Sequence, residues 1–149
     1  MNEELLSFVR EINEIEYACN TMLAKEYAGL LDESITNSQI IMLGHIHKHG
    51  RLLTGELSKM MNITPSAVSQ TLNKLEKGGY IKRSINPGNR REIFVELDIK
   101  GVSYIDRNEE IEKSIINRFY SKLDMADLKA LRDIMRKFKQ IIEKEQNNL

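Results

Sequence analysis

Apolar side chains recur every three or four residues through Leu5, Val9, Ile12, Ile15, Cys19, Met22 and Leu23, the spacing that lines one face of a helix over residues 2–28, with Gly29 as its end. Thr36, followed three residues later by Gln39, has the form of a capping box; it opens a second helix through IIMLGHIHKH that stops at Gly50, a left-handed cap. A short third helix starts at Thr54, carries Leu57, Met60 and Met61, and breaks at Asn62. Thr64 and Pro65, an N-cap and a first-turn proline, open a fourth over residues 65–77, closed by Gly78-Gly79. The period then changes from helical to alternating. Residues 80–85 and 92–97 read as two strands, the second with Ile93, Val95 and Leu97 on one face. Between them, Asn86-Pro87-Gly88-Asn89 predicts a type II turn with Gly88 at positive φ. Asp98 is placed to cap a helix carrying Val102, Ile105, Ile111, Ile115, Ile116 and Phe119. Asp124 is placed to cap the last, striped by Leu128, Leu131, Ile134, Met135, Phe138, Ile141 and Ile142. No internal repeat or low-complexity segment interrupts this order.

The helix over 65–77, PSAVSQTLNKLEK, sorts its residues by chemistry. Val68, Leu72 and Leu75, with Ala67, make a buried face; Ser66, Ser69, Gln70, Asn73, Lys74 and Lys77 make the opposite one. Short hydroxyl and amide side chains let a helix sit deep in a major groove and pair with base edges, while lysines meet phosphates. With the preceding helix and the turn Asn62-Ile63-Thr64 it forms a helix-turn-helix, in which Thr54 and Lys59 reach the DNA backbone. The hairpin that follows bears Arg90 and Arg91 near its tip, where a narrow minor groove attracts inserted arginine, and completes a winged helix-turn-helix.

Charge supports the same reading once the chain is divided. The 149 residues carry a formal net charge of zero, yet residues 48–91 hold nine Lys or Arg against Glu56 and Glu76, a local excess of seven positive charges. A basic segment between acidic arms is the footprint of a polyanion partner. The length fits one domain or one module with helical additions, and Cys19, the single cysteine, leaves no disulfide framework. An acidic start, MNEELLSF, and the lack of a long apolar run predict neither signal peptide nor membrane span, hence a cytoplasmic protein.

The runs ITNSQIIML and LLTGELSKMMNITPSAVSQTLNKLEKGGYIKRSINPGNRREIFVELDIKG resemble the MarR family of bacterial and archaeal transcriptional regulators, most specifically over TPSAVSQTLNKLEKGGYIKR and the arginine-bearing wing. The resemblance implies a mostly α fold with a small β-hairpin wing, a winged helix-turn-helix carried by long N- and C-terminal dimerisation helices. The divisions are residues 1–35 for the N-terminal helix, 36–98 for the DNA-binding core and 99–149 for the C-terminal helices. It implies a triangular homodimer on a palindromic operator in double-stranded DNA. The DNA-contact candidates are then Thr54, Lys59, Thr64, Ser66, Ser69, Gln70, Asn73, Lys74, Lys77, Arg83, Asn89, Arg90 and Arg91. Two positions depart from the family pattern. Asn89 stands where an aspartate usually pairs with a wing arginine, which implies a more mobile wing, and Asp98 replaces a capping threonine that it can match.

The resemblance also implies a repressor whose operator binding is modulated by a small, often phenolic or lipophilic anion held between the dimerisation helices and the winged core. Candidate walls are Tyr17, Met22, Tyr27, Met42, His45 and Tyr104, each of which also suits a simple core. His45, His47 and His49 invite a metal reading, since His45 and His49 share a helical face; no cysteine or second histidine cluster joins them, and histidines near a helix C-terminus are favoured by its dipole. No metal and no cofactor is expected. Cys19 offers an alternative, a redox-responsive regulator, although family members with a first-helix cysteine carry it about two turns nearer the N-terminus, and a buried inert thiol is the default on an apolar stripe. A winged-helix protein-interaction module is the other alternative, disfavoured by the polar face of Ser66, Gln70 and Asn73. No nucleophile–base pair or phosphate loop suggests an enzyme.

Overall fold

The computed structural model describes residues 2–148; Met1 and Leu149, the outermost residues of the two terminal segments, lie outside the described residues. Its elements run α1 (Glu3–Glu26), α2 (Asn37–His49), β1 (Arg51–Leu53), α3 (Thr54–Met61), α4 (Pro65–Lys77), β2 (Ile81–Asn86), β3 (Asn89–Leu97), α5 (Ile99–Arg118), a single 3-10 turn (Tyr120–Lys122) and α6 (Met125–Asn147). The chain divides into two compact units, one up to Glu109 and the other from Glu110 onward.

Most of the helices start on a local hydrogen bond. Asn2 Oδ1 accepts the Glu4 N–H at 3.0 Å and opens α1. The Thr36 hydroxyl accepts the Gln39 N–H at 3.3 Å while Gln39 Oε1 accepts the Thr36 N–H at 2.8 Å, so the capping box at α2 forms in full. Gly50 closes α2 at φ 73°. The Thr64 hydroxyl accepts the Ala67 N–H at 3.1 Å ahead of Pro65, which starts α4. Asp98 Oδ1 accepts the Ile99 N–H at 2.8 Å at the head of α5. Asp124 stands at the N-cap of α6, but its side chain makes no capping hydrogen bond.

Several expectations are corrected. The sheet has three strands in the order β1-β3-β2, all antiparallel, not the two of a hairpin. Arg51–Leu53 supplies the extra strand, pairing Leu52 with Val95, and both side chains enter the core. α3 consequently takes its N-cap from Leu53, whose N–H donates to Glu56 Oε2 at 2.7 Å. The Asn86–Asn89 turn is not type II, because Gly88 does not adopt positive φ. Asn86 holds the turn instead, its Oδ1 accepting the Gly88 N–H at 3.0 Å. Cys19 is exposed, not buried.

The core of the first unit gathers Met42, Leu43 and Ile46 from α2, Leu57 from α3, Val68, Leu72 and Leu75 from α4, and Leu52, Ile81 and Val95 from the sheet, closed by Tyr80, Tyr104 and Ile105. α4 is therefore held by one apolar face against both α3 and the sheet, which leaves its opposite face outward. α1 and α6 bury no residue, so Leu5, Val9 and Ile12 on the one, and Ile134, Phe138 and Ile141 on the other, stay exposed. Among the described residues no helix is long and apolar enough to cross a membrane.

Candidate nucleic-acid interface

The turn between α3 and α4 fixes how α4 is presented. Asn62 adopts the left-handed conformation at φ 51°, tolerable for an asparagine and costly for a branched residue. Ser58 ties both sides of the turn, its carbonyl accepting the Ile63 N–H at 3.2 Å and its hydroxyl donating to the Ile63 carbonyl at 2.7 Å. With Val68, Leu72 and Leu75 buried, the residues Ser66, Ser69, Gln70, Asn73, Lys74 and Lys77 are all exposed, and Thr64 is exposed at the helix start.

The wing follows α4 directly in the chain and is tied to it by Arg83 of β2. β2 and β3 pair from Ile81 opposite Leu97 to Ile85 opposite Ile93, with an irregularity before Asn86. Alternation places Arg91 on the face of Ile93 and Val95 and Arg90 on the other; both are exposed. Asn86 Nδ2 donates to Glu92 Oε2 at 2.7 Å, and Asn89 Oδ1 accepts the Arg91 N–H at 3.2 Å. These bonds brace the tip without the ion pair that an aspartate at 89 would make. An open groove of about 340 Å³ runs between the start of α3 and the wing, lined by Thr54, Glu56 and Lys59 on one side and Arg91 and Glu92 on the other.

Arg83 is placed differently from the other candidates. Its Nε donates to Glu76 Oε2 at 3.0 Å, its Nη2 donates to the same oxygen, and Nη2 also donates to Asn73 Oδ1 at 2.8 Å. The Arg83 hydrogen bonds and charge hold the Glu76 carboxyl below the usual carboxylate range. Arg83 is thus a clamp between β2 and α4 and not a free cation.

The six candidate ligand residues do not come together. Tyr17 and Met22 are 74% and 63% exposed on α1, Met42 is fully buried in the core, Tyr27 ends α1, and His45 is half-buried on α2. Tyr104 lines a cleft of about 200 Å³ that it shares with Leu30, Leu31, Asp32, Tyr80, Lys100, Ser103 and Arg107. The Tyr80 hydroxyl donates to Asp32 Oδ2, Lys100 Nζ lies 3.5 Å from the same oxygen and 4.5 Å from the Tyr80 ring centre, and the Tyr80 and Tyr104 rings meet edge to face at 5.9 Å. Hydrogen bonds from Ser34 and then Tyr80 hold the Asp32 carboxyl far below its ordinary value, while burial pushes the Tyr80 hydroxyl up. Nothing in the sequence marks this group, because its members are distant in the chain and polar residues beside a loop are common. His49 Nδ1 bonds the His45 carbonyl of its own helix at 2.9 Å, and His47 Nε2 lies 3.4 Å from Glu109.

Residues 35–93, which hold α2 to α4 and most of the wing, match the model of the MarR family. Among curated proteins the chain is similar to the HTH-type transcriptional regulator YwhA of Bacillus subtilis, 27% identical over 71% of this chain and 76% of that protein. It is likewise similar to the HTH-type transcriptional repressor MdtR of the same organism, 28% identical over 76% of this chain and 74% of that protein. Among solved structures, Streptococcus pneumoniae FabT in complex with DNA shares the fold with a TM-score of 0.76 at 20% identity, over 92% of this chain and 98% of that one. A mutant of MarR from E. coli, complexed with operator DNA, does so with a TM-score of 0.64 at 20% identity, over 91% and 95%.

Proposed function

We propose that the chain, whose residues 35–93 match the MarR family model, is a DNA-binding transcriptional regulator of that family and not an enzyme, and more finely a homodimeric repressor of a palindromic operator, released by a small-molecule effector. The observation that carries the DNA-reading part is the outward face of α4, where every exposed residue after Pro65 is a hydroxyl, an amide or a cation, next to a wing tipped by Arg90 and Arg91. A protein-interaction module would need exposed apolar residues on that face. Ser66, Ser69, Gln70, Asn73 and Lys74 would meet base edges or adjacent phosphates, Lys77, Thr54, Thr64 and Lys59 the backbone, and Arg90 and Arg91 the minor groove, with Asn89 bracing the wing.

The uncovered apolar rows of α1 and of α6 support a second copy as their cover, since such stripes are too apolar to stay in water. The cleft at Tyr80, Lys100 and Tyr104 supports an aromatic effector: two rings, a lysine and an arginine line it, and an anionic group on that effector would compete with the Asp32 carboxylate for Lys100. Selection of bound DNA from a random pool tests the reading. The expected product is an inverted repeat with half-site centres about one helical turn, roughly 34 Å, apart, bound by a species of dimer mass in light scattering. A stable monomer, or no enriched sequence, refutes it. A screen for aromatic carboxylates that release the selected DNA tests the effector; release that persists unchanged in Lys100→Met would remove the cleft from the proposal.

A further inference from the structure

Asn73 lies on the exposed face of α4, and an asparagine with a free amide reads adenine, accepting from N6 and donating to N7 in one plane. Here the amide is not free. Arg83 Nη2 donates to Asn73 Oδ1 at 2.8 Å, and Arg83 is itself fixed by two hydrogen bonds to Glu76 Oε2. The orientation of the amide follows from chemistry alone: a guanidinium can only donate, so the atom that faces it must be the oxygen. Nδ2 then projects from the other side of the amide carbon, with no hydrogen-bond partner among the described residues, on a side chain exposed to solvent.

We propose that Arg83 is a specificity-determining positioning residue, which locks the Asn73 amide with its oxygen inward so that α4 presents a donor-only group to DNA. A donor-only group cannot take the adenine N6 hydrogens. It matches an edge that offers adjacent acceptors, and guanine, with N7 and O6 side by side in the major groove, offers them. Glu76 completes the device: its carboxylate anchors the guanidinium, so the clamp spans β2 and α4 and ties the reading group to the wing that flanks it. Arg83 itself touches no base in this arrangement. The inference rests on α4 being the DNA-reading helix.

The test is selection from a random DNA pool with the full-length protein, Asn73→Ala and Arg83→Met, read position by position. Asn73→Ala locates the symmetric pair of positions that Asn73 reads. At that pair the wild type should favour guanine over adenine by about fivefold or more per half-site, the scale of one good side-chain–base pairing. Arg83→Met should reverse or erase that preference while other positions keep theirs. If Arg83→Met keeps the wild-type preference at that pair, or lowers affinity uniformly for all sequences together with the salt slope, Arg83 is a phosphate contact and the inference is overturned while the DNA reading stands. If the wild type enriches no sequence, the DNA reading and the inference fail together. A measurement on the wild type alone guards against misfolding of the variant: nitrogen-15 relaxation should show the Asn73 side-chain amide as rigid as the backbone of α4, with the Gln70 amide mobile. Equal mobility of the two amides overturns the lock.

Discussion

Gly101 sits in the first turns of α5, where the helix crosses the carbonyl of Tyr80. A β-carbon at 101 would lie 2.0 Å from the Tyr80 oxygen, 3.0 Å from its carbonyl carbon and 3.2 Å from Leu97 Cδ2. The first two are backbone atoms, so no change of rotamer relieves them. The same Tyr80 oxygen accepts the Asp98 N–H at 2.9 Å, and moving α5 away stretches that bond. Overpacking of a tight site costs about 1–3 kcal/mol, and a lost hydrogen bond adds ~1 kcal/mol. Against both, alanine is favoured over glycine within a helix by about 1 kcal/mol. Gly101→Ala should therefore destabilise the fold by about 2 kcal/mol, with the clash deciding the sign. Gly44, within α2, has nothing within 4 Å of the corresponding position, so Gly44→Ala should stabilise through helix propensity alone. Urea unfolding followed by circular dichroism, at one protomer concentration because assembly shifts apparent stability, measures both. A Gly101→Ala protein as stable as the wild type would refute the close approach.

Replacing Arg90 and Arg91 by alanine should weaken binding to selected DNA and reduce the slope of log affinity against log salt by about 0.9 for each phosphate no longer neutralised; an unchanged slope removes the wing from the interface. Asn62→Val places a branched residue at φ 51° and should cost about 1–2 kcal/mol in urea unfolding, with Asn62→Gly close to neutral. Asp32 titrates far below its unfolded value, so its contribution is complete above about pH 4 and is lost as pH falls towards the folded value. Between about pH 4 and pH 2 the stability of the wild type should thus fall more steeply than that of Asp32→Asn, and parallel curves would show that the hydrogen bonds from Ser34 and Tyr80 do not favour the carboxylate.

Elements that announce themselves through neighbouring residues were legible in the chain. The capping box at Thr36 and Gln39, the Thr64-Pro65 start of α4 and the two faces of that helix all depend on spacings of one turn or less, and the structure has each of them. β1 was not legible, because Arg51-Leu52-Leu53 is too short to alternate and exists only where Leu52 meets Val95 across the sheet. The turn at Gly88 went the other way from its residue preferences since Asn86 supplies an acceptor that a type II turn does not need. Met42 and Tyr104 looked alike as candidate walls; packing sends both into the core, Met42 wholly and Tyr104 at its edge, where it also borders a cleft. The Asp32, Tyr80 and Lys100 group could not be read at all, since the partners of its central hydrogen bond stand 48 residues apart.

The basic segment is also less uniform than its charge suggests. Lys48, Lys59, Lys74, Lys77, Lys82, Arg90 and Arg91 are exposed and form no ion pair among the described residues, whereas Arg51 lies 3.3 Å from Glu96 and Arg83 is bound to Glu76. The division follows side-chain chemistry. A guanidinium is a rigid fork suited to holding two elements in register, so Arg51 spans β1 and β3 and Arg83 spans β2 and α4. An ammonium is a flexible point charge suited to phosphate, and the free cations on α3 and α4 are all lysines. Among the described residues of this segment, unpaired arginine occurs only at the wing tip, where a narrow minor groove favours it over lysine through its weaker hydration. On the proposed reading, lysine and arginine are interchangeable on the helices and not in the sheet: Lys74→Arg should keep the charge that meets phosphate, while Arg83→Lys keeps the charge and loses the fork that binds Glu76 and Asn73 together.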